Sequence, residues 1–175
     1  AQRALPLRFG QEVQALPRRA GPGGVTPRIR VVAAALFDAG GRVLLADRPG
    51  GKHMAGRWEF PGGKIAATES ERAALERELA EELGITVRAA RPFMAVSHDY
   101  ADRHVDLSLW LVESWCGQPH PLDGQRLAWV APCELPEWDI LEADEPFVRA
   151  LRAFPGTPMT QPQTIDVCNP RTGEV

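Results

Sequence analysis

Residues Gly62 to Ile85 read G-G-K-I-A-A-T-E-S-E-R-A-A-L-E-R-E-L-A-E-E-L-G-I, and the fold turns on this stretch. It is a glycine loop, then a helix loaded with carboxylates, then a glycine stop. Leu75, Leu79 and Leu83 recur at every fourth position and form an apolar stripe, with Ala73 or Ala80 beside it. Glu78, Glu81 and Glu82 follow at i, i+3 and i+4, so three carboxylates share the neighbouring face. Like charges at that spacing repel, and selection for helix stability alone would intersperse Lys or Arg. A divalent cation reverses the sign of the interaction. Exposed, oxygen-only ligands suit Mg²⁺ or Mn²⁺, which keep several waters and share their shell with substrate phosphates.

The spacing is more specific than an acidic helix. Gly63, five residues, Glu69, seven residues, Arg77-Glu78-Leu79, one residue, Glu81-Glu82, one residue and Gly84-Ile85 fill every fixed position of the Nudix box. On those residues the chain resembles the Nudix hydrolases, which cleave nucleoside diphosphates linked to another moiety. From Arg28 to Arg152 it is similar to the MutT-type nucleotide pyrophosphatases, which convert 8-oxo-dGTP to the monophosphate and pyrophosphate. H-M-A-G-R-W-E-F-P-G-G-K from His53, D-R-H-V-D-L-S-L-W-L-V-E-S-W from Asp102 and A-D-E-P from Ala143 carry that resemblance.

The resemblance implies an α-β-α sandwich and a set of roles. The metal shell falls on the Gly62 carbonyl, Glu78, Glu81 and Glu82. A further acidic ligand or water-positioner falls on Asp123, where the bacterial prototype carries a longer Glu. Lys64 is placed to meet a phosphate. Arg77 pairs with a box carboxylate and holds the helix face, although an ordinary surface i, i+4 pair with Glu81 explains it equally. Arg48, His53, Phe60 and Arg103 match positions lining a nucleoside pocket; Phe60 as core and Arg103 as a turn residue are the plain alternatives. Asp144 stands where the prototype has an Asn that reads the 8-oxoguanine edge. Ionised Asp offers acceptors only, which suits an exocyclic amine of cytosine or adenine better than O6. Asp144 could equally cap the closing helix.

The chemistry is intelligible from the residues. Divalent ions neutralise phosphate charge, orient the chain and acidify a bound water. A carboxylate then takes its proton, and Glu78, midway along the ligand face, is the candidate. Glu69 is expected to act structurally, through hydrogen bonds at the helix start. The expected reaction is attack at the β-phosphorus of a nucleoside triphosphate. A non-catalytic nucleotide sensor is the alternative, disfavoured by the intact box charges.

Composition sets the outer bounds. The chain has 175 residues, 44% hydrophobic and 25% charged, with net charge −3. One α+β domain is expected over 28–154. No basic excess favours a nucleic-acid polymer, so the partner expected is a small nucleotide bound by a monomer. Three cysteines without C-x-x-C spacing read as free thiols. No apolar run approaches membrane-spanning length and no signal sequence opens the chain, which makes the cytoplasm the expected compartment.

Residues 1–27 begin with Ala1, are rich in Arg and carry the structure-breaking run Gly21-Pro22-Gly23-Gly24. They read as a flexible arm in preference to a Ser-free transit peptide. Residues 155–175 are polar and Pro-rich and are expected to be disordered. From Met159 they resemble the opening of an aldehyde dehydrogenase, too briefly to carry its chemistry.

Between the two flanks, a strand is expected from Arg28 to Asp38, with a hairpin partner from Arg42 to Arg48 across Ala39-Gly40-Gly41. Trp58 to Pro61 is a short extended piece delivering the chain to the box. Thr68 and Glu71 suggest a capping box, and Gly84 an αL stop. Strands follow over Thr86–Val96, His104–Trp115 and Leu127–Val130, with a closing helix over Ala143–Phe154.

Overall fold

The computed structural model describes residues 27–50 and 54–153. The arm read over 1–27 (except Pro27), the tail over 155–175, Phe154 and His53 lie outside the described residues. Element order is β1 (Arg28–Leu36), β2 (Val43–Asp47), β3 (Trp58–Glu59), β4 (Gly62–Lys64) and α1 (Glu71–Leu83). β5 (Thr86–Asp99), β6 (His104–Cys116), β7 (Leu127–Val130) and α2 (Glu145–Ala153) complete it.

The strands form two sheets. β4-β1-β6-β5 is mixed, with β1 parallel to β6 and the other pairs antiparallel; β3-β2-β7 is antiparallel throughout. The expected β1–β2 hairpin needs correction. The turn is present, with Asp38 Oδ1 accepting the Gly40 and Arg42 amides at 2.9 Å each. Beyond the Phe37–Val43 bridge, however, β2 pairs with β3 and β7, because both edges of β1 are taken by β4 and β6.

Side-chain alternation along β1 separates two cores. Ala33 and Ala35 join one cluster with Leu107, Leu109 and the α2 residues Phe147, Val148 and Leu151. Val32, Ala34 and Leu36 join the other with Ala74, Leu75, Leu79 and Leu83 of α1. A strand buried on both faces cannot alternate polar with apolar, which is why Val32 to Leu36 is a continuous apolar run. One helix covers each face, so the architecture is the α-β-α sandwich. Among the described residues, no helix is long and apolar enough to cross a membrane.

Both helix starts differ from expectation. The N-cap of α1 is Ser70, whose Oγ accepts from the Ala73 amide at 3.2 Å, in place of the Thr68–Glu71 box. Glu69 is the reason: its carboxylate is bound to the Ala66 amide and to Arg77, so the helix opens only after it. Gly84 ends α1 in the left-handed conformation, as expected. The closing helix begins as a 3₁₀ turn at Glu142–Asp144 and becomes α-helical from Glu145, with Pro146 in its first turn.

Candidate active site

The glycine pair brings β4 and the helix together. Gly62 has φ +148, and a Cβ there would stand 2.1 Å from the Val32 carbonyl oxygen of β1. At Gly63 a Cβ would stand 2.3 Å from Glu78 Oε2. Only glycines let the backbone lie against both β1 and the carboxylate. The Gly62 amide donates to Glu82 Oε2 at 3.3 Å, so a second box carboxylate is tied to the same loop.

Arg77 organises the acidic face. Its guanidinium grips Glu69 through Nε at 3.0 Å and Nη2 at 2.9 Å. Nη1 donates to Glu78 Oε1 at 2.9 Å and Glu81 Oε2 at 3.2 Å, and Nη2 to the Lys64 carbonyl at 3.0 Å. Five contacts from one planar fork fix the loop, the helix and three box carboxylates relative to one another. The bond from Arg77 holds the Glu69 carboxyl below its usual range, helped by the Ala66 amide. The simple i, i+4 surface pair is thus one of several Arg77 contacts.

Asp123 reaches the same region from the loop before β7. It lines a small cavity with Asp47, Gly62, Glu82 and Gln125. Among the described residues, no three His, Cys, Asp or Glu side chains converge closely enough to cage an ion unaided. That donor set fits a hard divalent cation all the same. Such an ion takes one or two carboxylates and completes its shell with water and substrate phosphates.

Beside it lies a larger pocket of about 140 Å³, lined among others by Val31, Ala33, Leu107 and Leu141 with Arg48, Tyr100, Arg103 and Asp144. Lys64 and Gly62 also line it, and Glu59, Phe60 and Gly62 wall both cavities. Phe60 is 3% exposed and packs edge-on against Phe147 at 6.3 Å, so it is core and pocket wall at once. Arg48 Nη1 binds Glu59 at 2.5 Å, while its buried Nε has no hydrogen-bond partner among the described residues. Arg103 pairs with Asp102 and still lines the pocket.

Asp144 is 4% exposed, and its Oδ2 accepts the Phe60 amide at 3.3 Å. That amide belongs to the segment leading into the glycine loop, so the carboxyl serves the pocket wall rather than capping α2. Desolvation, reinforced by the Glu59 charge, pushes its pKa up to about 8, against the opposing pull of the Phe60 amide and Arg48. The raised pKa favours the protonated carboxyl, which offers one donor as well as one acceptor oxygen where an ionised Asp144 offers acceptors only. Tyr100 and Glu59, both on this pocket, were not singled out from the sequence. Glu59 read as part of a short extended piece, and neither residue has a spacing signal.

Residues 32–150 match the family model described as NUDIX domain. The chain belongs to the NUDIX family of hydrolases, whose members generally depend on divalent metals. It is 34% identical to the 8-oxo-dGTP diphosphatase of Escherichia coli (strain K12) over 71% of this chain and 97% of that one. It is 37% identical to the CTP pyrophosphohydrolase of the same organism over 70% of this chain and 91% of that one. A solved MutT structure from the Aliivibrio salmonicida and Vibrio cholerae pair superposes with TM-score 0.63 at 37% identity, covering 72% of this chain and 98% of that one.

Proposed function

We propose that this chain is a Mg²⁺-dependent nucleoside triphosphate pyrophosphohydrolase of the nucleotide-pool sanitising type, with 8-oxo-dGTP as its substrate and Mn²⁺ able to replace Mg²⁺. The observation that carries the reading is the wall of Glu59, Phe60 and Gly62 shared by the carboxylate cavity and the apolar pocket. A base in one and phosphates in the other span that wall. The relatives' activities support the same assignment.

Gly62, Glu78, Glu81, Glu82 and Asp123 are the residues that would hold the ion. When bound, it neutralises phosphate charge and acidifies water. Glu78, fixed by Arg77 and Gly63, accepts the proton of the attacking water on its carboxylate. The water oxygen bonds to the β-phosphorus as the bond to the α–β bridging oxygen breaks. The electron pair leaves with the nucleoside monophosphate, and pyrophosphate is the other product. Lys64 faces the phosphates, and Arg48 lines the pocket that takes the base.

Neutral Asp144 selects the base. Its O–H donates to O6 of 8-oxoguanine, and Oδ2 has a second lone pair for the N7–H that oxidation creates. Unmodified guanine presents acceptors at both positions, leaving one lone pair facing another. Cytosine, with N3 beside its amine, satisfies the same donor and acceptor, so cytidine triphosphates are the second reading.

Pyrophosphate release with Mg²⁺ across dGTP, 8-oxo-dGTP, dCTP, 5-methyl-dCTP, dATP and ADP-ribose tests this. A kcat/KM for 8-oxo-dGTP well above that for dGTP is expected. Preference for cytidine nucleotides would install the second reading, and silence on all six would leave a nucleotide sensor.

A further inference from the structure

The last turn of α1 ends in carbonyls that no helical amide can reach. The Gly84 amide takes Ala80 O at 3.1 Å. The loop before β7 takes the next ones, with His120 N donating to Leu83 O and Leu122 N to Glu82 O, each at 3.0 Å. Gln125 adds a second donor to Glu82 O, through Nε2 at 2.8 Å. Its other amide atom, Oε1, accepts from the Asp123 backbone N–H, also at 2.8 Å. Gln125 is 6% exposed, one of three buried polar or charged residues among those described.

A single side-chain amide therefore joins the main chain of Glu82 to that of Asp123. Both residues line the same cavity, together with Gly62. Asp is one methylene shorter than Glu, so its reach depends on how closely its backbone is drawn to the helix. Only a group with one donor and one acceptor satisfies both main-chain partners, and burial makes a mismatch costly.

We propose that Gln125 is a positioning residue of the metal site, strapping the Asp123 loop to the end of α1 so that Asp123 and Glu82 face one ion. This rests on the reading that those two carboxylates bind the cation. Helix capping explains why the loop docks there, and the amide sets the distance between the two carboxylates. A residue acting behind a metal ligand typically tunes affinity by roughly 10–100-fold.

The test is Mn²⁺ binding to the nucleotide-free protein, followed by the EPR signal of unbound Mn²⁺, for wild type, Gln125→Leu, Asp123→Ala and the double variant. Mg²⁺ titration of turnover accompanies it. Gln125→Leu is expected to weaken Mn²⁺ binding about 10-fold and raise half-saturating Mg²⁺ in step, with KM for nucleotide at saturating Mg²⁺ unchanged. In the Asp123→Ala background the same substitution should do nothing further. Unchanged Mn²⁺ affinity in a Gln125→Leu protein with native near-UV CD, or full additivity with Asp123→Ala, overturns the proposal and leaves Gln125 a helix cap. Should Gln125→Leu fail to fold, Gln125→Asn keeps the amide without adding charge, is one methylene too short to span Glu82 O and Asp123 N–H together, and is read the same way. Wild type that binds no Mn²⁺ would sink the metal reading itself, a different result from tight binding that is blind to Gln125.

Discussion

The Glu78 carboxylate lies directly against the Cα of Gly63, leaving no room for a methyl group between them: a Cβ there would sit 2.3 Å from Oε2 and 2.6 Å from Oε1. The contact joins the loop to the helix through the carboxylate proposed as the base. It also separates two glycine substitutions that look alike in the sequence.

Gly63→Ala meets the end of a flexible side chain, which can swing away. It should fold with near-wild-type Tm and lose activity by about 100-fold or more, because the base is displaced. Gly62→Ala meets the Val32 carbonyl at 2.1 Å and the Ala33 Cα at 2.8 Å, both backbone. It should destabilise by roughly 2 kcal/mol or more. Thermal melts alongside single-turnover rates distinguish the two, and equal Tm losses would contradict the assignment.

Glu78→Gln keeps the shape of the side chain and removes its basicity. We expect kcat to fall by about 10²–10⁴-fold, with the near-UV CD spectrum preserved. Turnover within a few-fold of wild type would move the base elsewhere on the acidic face.

Arg77→Lys preserves charge and loses the fork that reaches Glu69, Glu78, Glu81 and the Lys64 carbonyl. A loss of roughly 10–100-fold in kcat is expected, with a higher Mg²⁺ requirement. Steady-state rates across Mg²⁺ concentrations check it; a wild-type Mg²⁺ profile would reduce Arg77 to a surface ion pair.

Asp144 makes a pH prediction with a definite sign. Its native pKa is raised from 3.8 to about 8, so the folded chain holds a proton that the unfolded chain has released. The stability contribution is complete below 3.8 and is lost as pH rises through about 8. Asp144→Asn removes that slope, and at pH 8 its Tm should exceed that of wild type by about 4 °C or more. Selectivity for 8-oxo-dGTP over dGTP should fade above pH 8 in wild type and persist in the Asn variant. Parallel pH profiles of Tm and of kcat/KM decide both points.

Much of the site was legible because its residues lie close together in the chain. Glu78, Glu81 and Glu82 share one face of α1, and helical periodicity is a local property. Gly62 and Gly63 were legible as a tight approach, since glycine is the residue that permits one. Glu59, Tyr100 and Gln125 were not legible. Each gains its part from a partner far along the chain, Gln125 through the end of α1 and Tyr100 through the apolar pocket. The β1–β2 hairpin misled for a related reason: the turn at Asp38–Arg42 is local, whereas the competition for the edges of β1 is not.

The sequence by itself determined the carboxylate face, the glycine loop and, through the box, the family. The tertiary structure alone decided the burial of Asp144 that raises its pKa, the contact of Gly63 with Glu78, and the capping of α1 by the loop that bears Asp123. Periodicity and spacing record what neighbours within one element must do. Desolvation, close approach and long-range hydrogen bonding depend on which elements the folded chain brings together.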